Sequence, residues 1–198
     1  MKNSNYKVIL ASKSPRRKEL LKQIGFEFDI LVSEEEETVF EGEPEKTVME
    51  LSFQKALNVS KLVDTTNNKY LIIGADTVVS LGEIIMGKPY DEHGAKIMLR
   101  NLSGKTHQVY TGVTLLLVDK NGTVNHKFVQ CTNVTMYDIT DEEIDNYIST
   151  GEPMDKAGSY GIQGMGAKFI KSIEGDYNNV VGLPIGKIYQ QIKLMNPQ

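Results

Sequence analysis

Two long strand-like runs stand back to back in this chain. THQVYTGVTLLLVD (106–119) and TVNHKFVQCTNVTMYD (123–138) are joined at Lys120-Asn121-Gly122. An Asn-Gly pair between such runs is a strong hairpin signal, because both residues tolerate the backbone angles of a tight reversal. A hairpin is antiparallel, so a sheet that contains it cannot be purely parallel. On either side of the hairpin, strand-like and helix-like segments alternate. That combination predicts an α/β fold with a mixed, strongly twisted sheet flanked by helices.

YKVILA (6–11) reads as a buried first strand. Ser14 is placed to cap the next helix and Pro15 suits its first turn; Leu20, Leu21 and Ile24 recur at helical spacing, and Gly25 ends it. FEFDILV (26–32) reads as a second strand and precedes the acidic run Glu34–Glu37. Residues 44–63 are amphipathic, with Val48, Leu51, Ala56, Val59 and Leu62 on one helical face. KYLIIGADTVVSL (69–81) is the most strand-like run, with a hairpin expected into LGEIIM (81–86). A short helix is expected over 91–104. Thr140 and Glu143 form a capping-box pattern for a helix that follows. Residues 151–169 are glycine-rich and irregular, 168–176 read as a strand, and 183–195 as a closing helix. There are no repeats or low-complexity linkers, and residues 1–198 read as a single domain with room for two lobes around a cleft.

The totals exclude several classes. A net charge of -4 and a pI near 5.5 speak against a general nucleic-acid binder. No run approaches the roughly 20 apolar residues that span a bilayer, and the N-terminal apolar stretch is too short for a signal peptide. Cys131 is the only cysteine, so no intramolecular disulfide forms; this fits a reducing, cytoplasmic compartment. In its strand-like context Cys131 is expected to be a small buried hydrophobe. His93, His107 and His126 show no metal-ligand spacing and receive no catalytic role.

Five elements carry chemistry. In LASKSPRRKEL (10–20) a strand, a short turn and a helix start place free amides, the Ser12 and Ser14 hydroxyls and the forked cations Arg16 and Arg17 together. This suits a phosphate, and equally describes a solvated basic turn; it is not a P-loop. In IIGADTVV, Asp76 interrupts an apolar strand, where a carboxylate needs a metal, a cation or donors. The alternative is a structural Asp bonded by Thr77. Lys88 in GKP reads as a turn lysine or an anion contact. One or two of Glu34–Glu37 have the chemistry to share a hard divalent cation with Asp76. DKAGSYGIQGMG (155–166) allows close backbone approach to a ligand or a mobile lid, and equally describes a plain flexible loop; Gln163 offers an amide edge able to read a base.

Taken in order, LASKSPRRKELL, GADTVV, GKP, LSGKTHQVYTGV, DKAGSYGIQG and VVGLP resemble the Maf family of nucleoside triphosphate pyrophosphatases, over roughly 8–192. The resemblance implies an elongated two-lobed α/β fold with a deep cleft, similar to the inosine-triphosphate pyrophosphatases. It implies cleavage between the α- and β-phosphates to a monophosphate and pyrophosphate, in clearing unwanted nucleotides, with a link to septum formation in some bacteria. Asp76 then falls on the family's general base and metal partner, Lys55 and Lys88 on its lysines, and Glu37 on its acidic position. Ser12, Ser14, Arg16 and Arg17 fall on its first motif. Arg16, Thr77 and Gln163 match the branch acting on dTTP and UTP, where another branch, acting on 7-methyl-GTP, carries Trp, Gln and Glu. The cofactor implied is Mg²⁺ or Mn²⁺, and the assembly a homodimer. The rival expectation is a non-catalytic nucleotide- or DNA-binding regulator of cell division; a third is a pyrophosphatase for modified bases.

Overall fold

A computed structural model describes residues 6–35 and 43–195. Seven strands form one sheet: β1 (Lys7–Ala11), β2 (Asp29–Ile30), β3 (Tyr70–Leu81), β4 (Ile84–Met86), β5 (Thr106–Asp119), β6 (Gly122–Met136) and β7 (Ile170–Glu174). Their order is β2-β1-β3-β5-β6-β7, with β4 paired to β3 outside that path. β1 runs parallel to β2 and β3, with Ala11 opposite Gly74, whereas β3–β4 and β6–β7 are antiparallel. The sheet is therefore mixed, as the hairpin required. The α-helices are α1 (Pro15–Gln23), α2 (Pro44–Ser60), α3 (Glu92–Leu102), α4 (Asp141–Ile148), α5 (Tyr177–Val181) and α6 (Ile185–Met195).

The chain divides into two compact units. The first comprises residues 1–76, 111–130 and 182–198; the second comprises 77–110 and 131–181. β3, β5 and β6 each contribute residues to both. In the first unit, Ala56 and Val59 of α2 pack with Ile9, Ile72, Leu116 and Val118 of the sheet. α2 comes unusually close. A Cβ on Gly74 would lie 2.2 Å from the Ser52 carbonyl oxygen, and one on Gly112 would lie 2.3 Å from that of Val48. Only glycine permits this approach at either position. The second unit has its own core, in which Leu99 and Leu102 of α3 and Ile144 and Tyr147 of α4 meet Val109, Val134 and Phe169.

Local signals set the helix ends. Ser14 is extended (φ -65°, ψ 118°) and its hydroxyl accepts from the Arg17 amide, with Pro15 at the first helical position. Thr140 and Glu143 form the reciprocal capping box. Three expectations are corrected. The second strand shrinks to two residues, because Phe26–Phe28 are not paired in the sheet. Leu62 lies beyond the end of α2 and is 56% exposed. Cys131 is exposed on β6, where the strand turns that position outward while Thr132 points into the core.

His107 on β5 is fully buried, with Nε2 2.7 Å from the Tyr160 hydroxyl and Nδ1 lacking a hydrogen-bond partner among the described residues. Burial lowers its pKa to about 4. The unfolded chain therefore takes up this proton first, near pH 6.5. The His107 contribution is complete above that pH and is lost progressively as pH falls toward about 4. The expected loss is about 3 kcal/mol, at roughly 1.4 kcal/mol per pH unit. Urea unfolding from pH 7 to 4 checks this: His107→Gln should remove that component of the slope, and an unchanged slope refutes it.

Candidate active site

The first-motif residues, α2 and the GAD strand meet within the first unit. Gly74 and Asp76 lie two apart on β3 and so face the same side of the sheet. α2 sits over that face at Gly74, with the Ala56 Cβ 3.0 Å from where a Gly74 Cβ would be. Lys55 is next in the helix, and its Nζ donates to Asp76 Oδ1 at 2.8 Å. The side chains are 18% and 19% exposed, a half-shielded pair rather than a surface one. Lys55 thus supplies a cation to this carboxylate inside the apolar strand.

Arg17 works differently from a solvated basic turn. Its Nε donates to the Gly182 carbonyl (2.8 Å), and Nη1 donates to the Ala75 carbonyl (2.7 Å) and to Ser12 Oγ (3.2 Å). One fork thus ties the start of α1, the residue before Asp76 and the VVGLP turn. Carbonyl oxygens supply the negative partner that a cation in the first helical turn requires. Ser12 Oγ also accepts from the Ser14 amide (3.2 Å), so both lone pairs of this buried hydroxyl are taken and its remaining capacity is to donate. Arg16 is half-buried beside this cluster in sequence.

Lys88 and Gln163 belong to the second unit and are both exposed; Thr77 follows Asp76 on β3 and is half-buried. The segment that carries Gln163 is tied down in three places. The Gly158 amide donates to the Gly87 carbonyl, beside Lys88 (3.0 Å). The Tyr160 hydroxyl meets His107. The Gly161 amide donates to the Tyr147 hydroxyl (3.2 Å), which donates to Glu152 Oε1 (2.9 Å). Sequence reasoning singled out neither Tyr147 nor Glu152. The only signal for Glu152 is its position in GEP, directly before the glycine-rich stretch.

Of the acidic run, Glu36 and Glu37 lie outside the described residues. Glu35 is exposed and pairs with Lys61 at 2.9 Å. Among the described residues no group of three or more His, Cys, Asp or Glu is arranged to hold a metal. A hard divalent cation that arrives with a triphosphate takes only one or two protein carboxylates, the rest being phosphate oxygens and water. Asp76 is a half-shielded carboxylate whose Oδ1 accepts from Lys55, so its donor chemistry suits one such position. No helix among the described residues is long and apolar enough to cross a membrane.

Residues 7–195 match the family described as Maf-like protein. A dTTP/UTP pyrophosphatase of Agathobacter rectalis is 56% identical over 196 residues, covering 94% of this chain and 96% of the relative. One from Bacillus thuringiensis subsp. konkukian is 50% identical, covering 96% of each chain. A solved nucleoside-triphosphatase / dITP/XTP pyrophosphatase of Mycobacterium abscessus is 14% identical with a TM-score of 0.44, covering 97% of this chain and 100% of the other. On the family match and these identities, the chain belongs to the Maf-like family.

Proposed function

We propose that this chain is a hydrolase that cleaves the α–β phosphoanhydride of dTTP and UTP, giving the monophosphate and pyrophosphate. Two relatives of that name, 56% and 50% identical over nearly their whole length, support the reaction and the substrate class. Within the chain, the observation that carries the reading is the Lys55–Asp76 pair, seated where the first motif and the GAD strand converge.

Asp76 is the general base: it takes a proton from water as the water oxygen bonds to phosphorus and the bridging P–O bond breaks. Lys55 holds the carboxylate in place and has the charge to meet a phosphate of the bound nucleotide. Asp76 and Glu37 would hold Mg²⁺ or Mn²⁺, which supplies charge neutralisation on the phosphate oxygens. Lys88, Ser12 and Ser14 serve the phosphates. Arg16, Thr77 and Gln163 read the base, because a polar site rejects a base that leaves its buried groups unpaired. Arg17 holds the frame. The compartment is cytoplasmic and the assembly a homodimer.

A pyrophosphate-release screen over common and modified nucleoside triphosphates, with and without Mg²⁺, tests the reading. UTP and dTTP should lead and chelation should abolish turnover. Binding that persists without metal and releases no pyrophosphate would instead favour a regulator. Asp76→Asn should keep the fold and lower kcat on the order of a hundredfold or more; near-parental turnover would remove Asp76 from the chemistry. The two arginines should separate. Arg17→Lys keeps the charge but loses the fork, so it should cost about 2–3 kcal/mol of stability and slow all nucleotides alike. Arg16→Ala should instead change the ratio of kcat/KM among UTP, CTP and GTP. Matching ratios would refute the specificity role of Arg16.

A further inference from the structure

The proposal concerns the glycine-rich stretch around Gln163, and it rests on the reading of Gln163 as a base contact. Three backbone amides flanking Gln163 end on a single pair of side chains. The Gly161 amide donates to the Tyr147 hydroxyl (3.2 Å), the Met165 amide to Glu152 Oε2 (3.0 Å) and the Gly166 amide to Glu152 Oε1 (3.2 Å). The Tyr147 hydroxyl closes the network by donating to Glu152 Oε1 (2.9 Å). Tyr147 itself is fixed: it is fully buried on α4, with its ring edge-on to Phe169 at 5.4 Å.

The stretch is folded down onto this pair as closely as glycine allows. A Cβ on Gly164 (φ +75°) would lie 2.8 Å from the Glu152 carboxylate. One on Gly166 would lie 2.5 Å from the Gly161 carbonyl oxygen and 2.6 Å from the Tyr147 hydroxyl. Gln163 is exposed, so the main chain on either side sets where its side chain leaves the backbone. Partial burial works against the charged Glu152 carboxylate. The Met165 and Gly166 amides and the Tyr147 hydroxyl outweigh it and hold its pKa below the usual range. A charged acceptor makes these bonds stronger than a neutral one would.

We infer that Tyr147 and Glu152 are positioning residues for base recognition: they clamp residues 161–166 and so present Gln163 to the pyrimidine edge of the nucleotide. Neither touches the substrate. Their effect should pass through Gln163, which distinguishes this role from general support of the fold.

The test is a double-mutant cycle on the full chain, read as kcat/KM for UTP and for CTP together with Tm. Glu152→Gln keeps the shape but loses the charge and one acceptor; Tyr147→Phe keeps the ring and loses the hydroxyl, and stands in if Glu152→Gln does not fold. Each should lower kcat/KM for UTP about tenfold, mainly through KM, and narrow the preference for UTP over CTP. The double variant Glu152→Gln/Gln163→Ala should be no worse than Gln163→Ala alone. Losses that multiply in the double variant would overturn the positioning role. Parental selectivity in both Glu152→Gln and Tyr147→Phe, with selectivity lost in Gln163→Ala, would overturn the clamp alone. Parental selectivity in Gln163→Ala would overturn the reading of Gln163 and the clamp with it.

Discussion

The approach of α2 to the sheet is the constraint on which the first unit depends. Gly74 and Gly112 have no side chains, and the helix backbone takes up that space at Ser52 and Val48. The contact is polar as well as close: Ser52 Oγ and Thr114 Oγ1 are 2.9 Å apart and buried. At this depth Lys55 reaches Asp76. A bulkier residue at Gly74 would push the helix outward and separate the pair. The pair also differs in kind from the exposed ones in the chain, such as Lys61–Glu35 and Arg100–Asp141, whose side chains are half or more exposed. Pairs of that sort contribute about 0–1 kcal/mol. Removing one partner of a shielded pair instead leaves a charge without compensation.

Arg17 extends the same frame. A lysine could reach one of its acceptors, but not Gly182, Ala75 and Ser12 together; the planar fork is what makes the connection. Because it bonds the carbonyl immediately before Asp76, it limits how far β3 can shift under the carboxylate. The adjacent arginines therefore answer to different demands. Arg17 satisfies the protein's own carbonyls, and Arg16, next to it, is the residue proposed to read the base.

Much of this was legible in the sequence where the signal was local. The Lys120-Asn121-Gly122 hairpin, the Ser14 cap with Pro15, and the Thr140–Glu143 box each depend on residues within a few positions of one another, and each is present. The misses are tertiary. FEFDILV has strand composition, but only Asp29 and Ile30 are in register with β1 as a strand. Leu62 continues the α2 periodicity past the end of the helix. Cys131 shows that one strand's alternation does not by itself say which face is inward. At the site, the odd placement of Asp76 in an apolar run announced that a partner was needed. It could not say that the partner was 21 residues earlier on a helix lying across the strand. Glu152 gave no comparable signal, because a Glu-Pro pair before a glycine-rich stretch looks like an ordinary loop.

The glycines of that stretch carried the expectation of close backbone approach to a ligand or of a mobile lid, beside a plain flexible loop. The close approaches the structure shows are to the protein's own groups. Gly158 (φ +68°) sits over Val79, where a Cβ would lie 2.8 Å from a methyl group, and its amide holds the Gly87 carbonyl. Gly164 and Gly166 sit against Glu152 and Tyr147. Ser159 is the revealing exception: it is fully buried at φ +61°, a left-handed conformation that costs a non-glycine residue on the order of 1 kcal/mol or more. The chain accepts that cost between two fixed points, the Gly158–Gly87 bond on one side and the buried Tyr160–His107 contact on the other. A segment strained in its middle and anchored at both ends is built to hold a shape. The shape it holds ties Gly87, beside Lys88, to the residues that lead into Gln163, so within this unit a phosphate-contact candidate and a base-contact candidate share one backbone support.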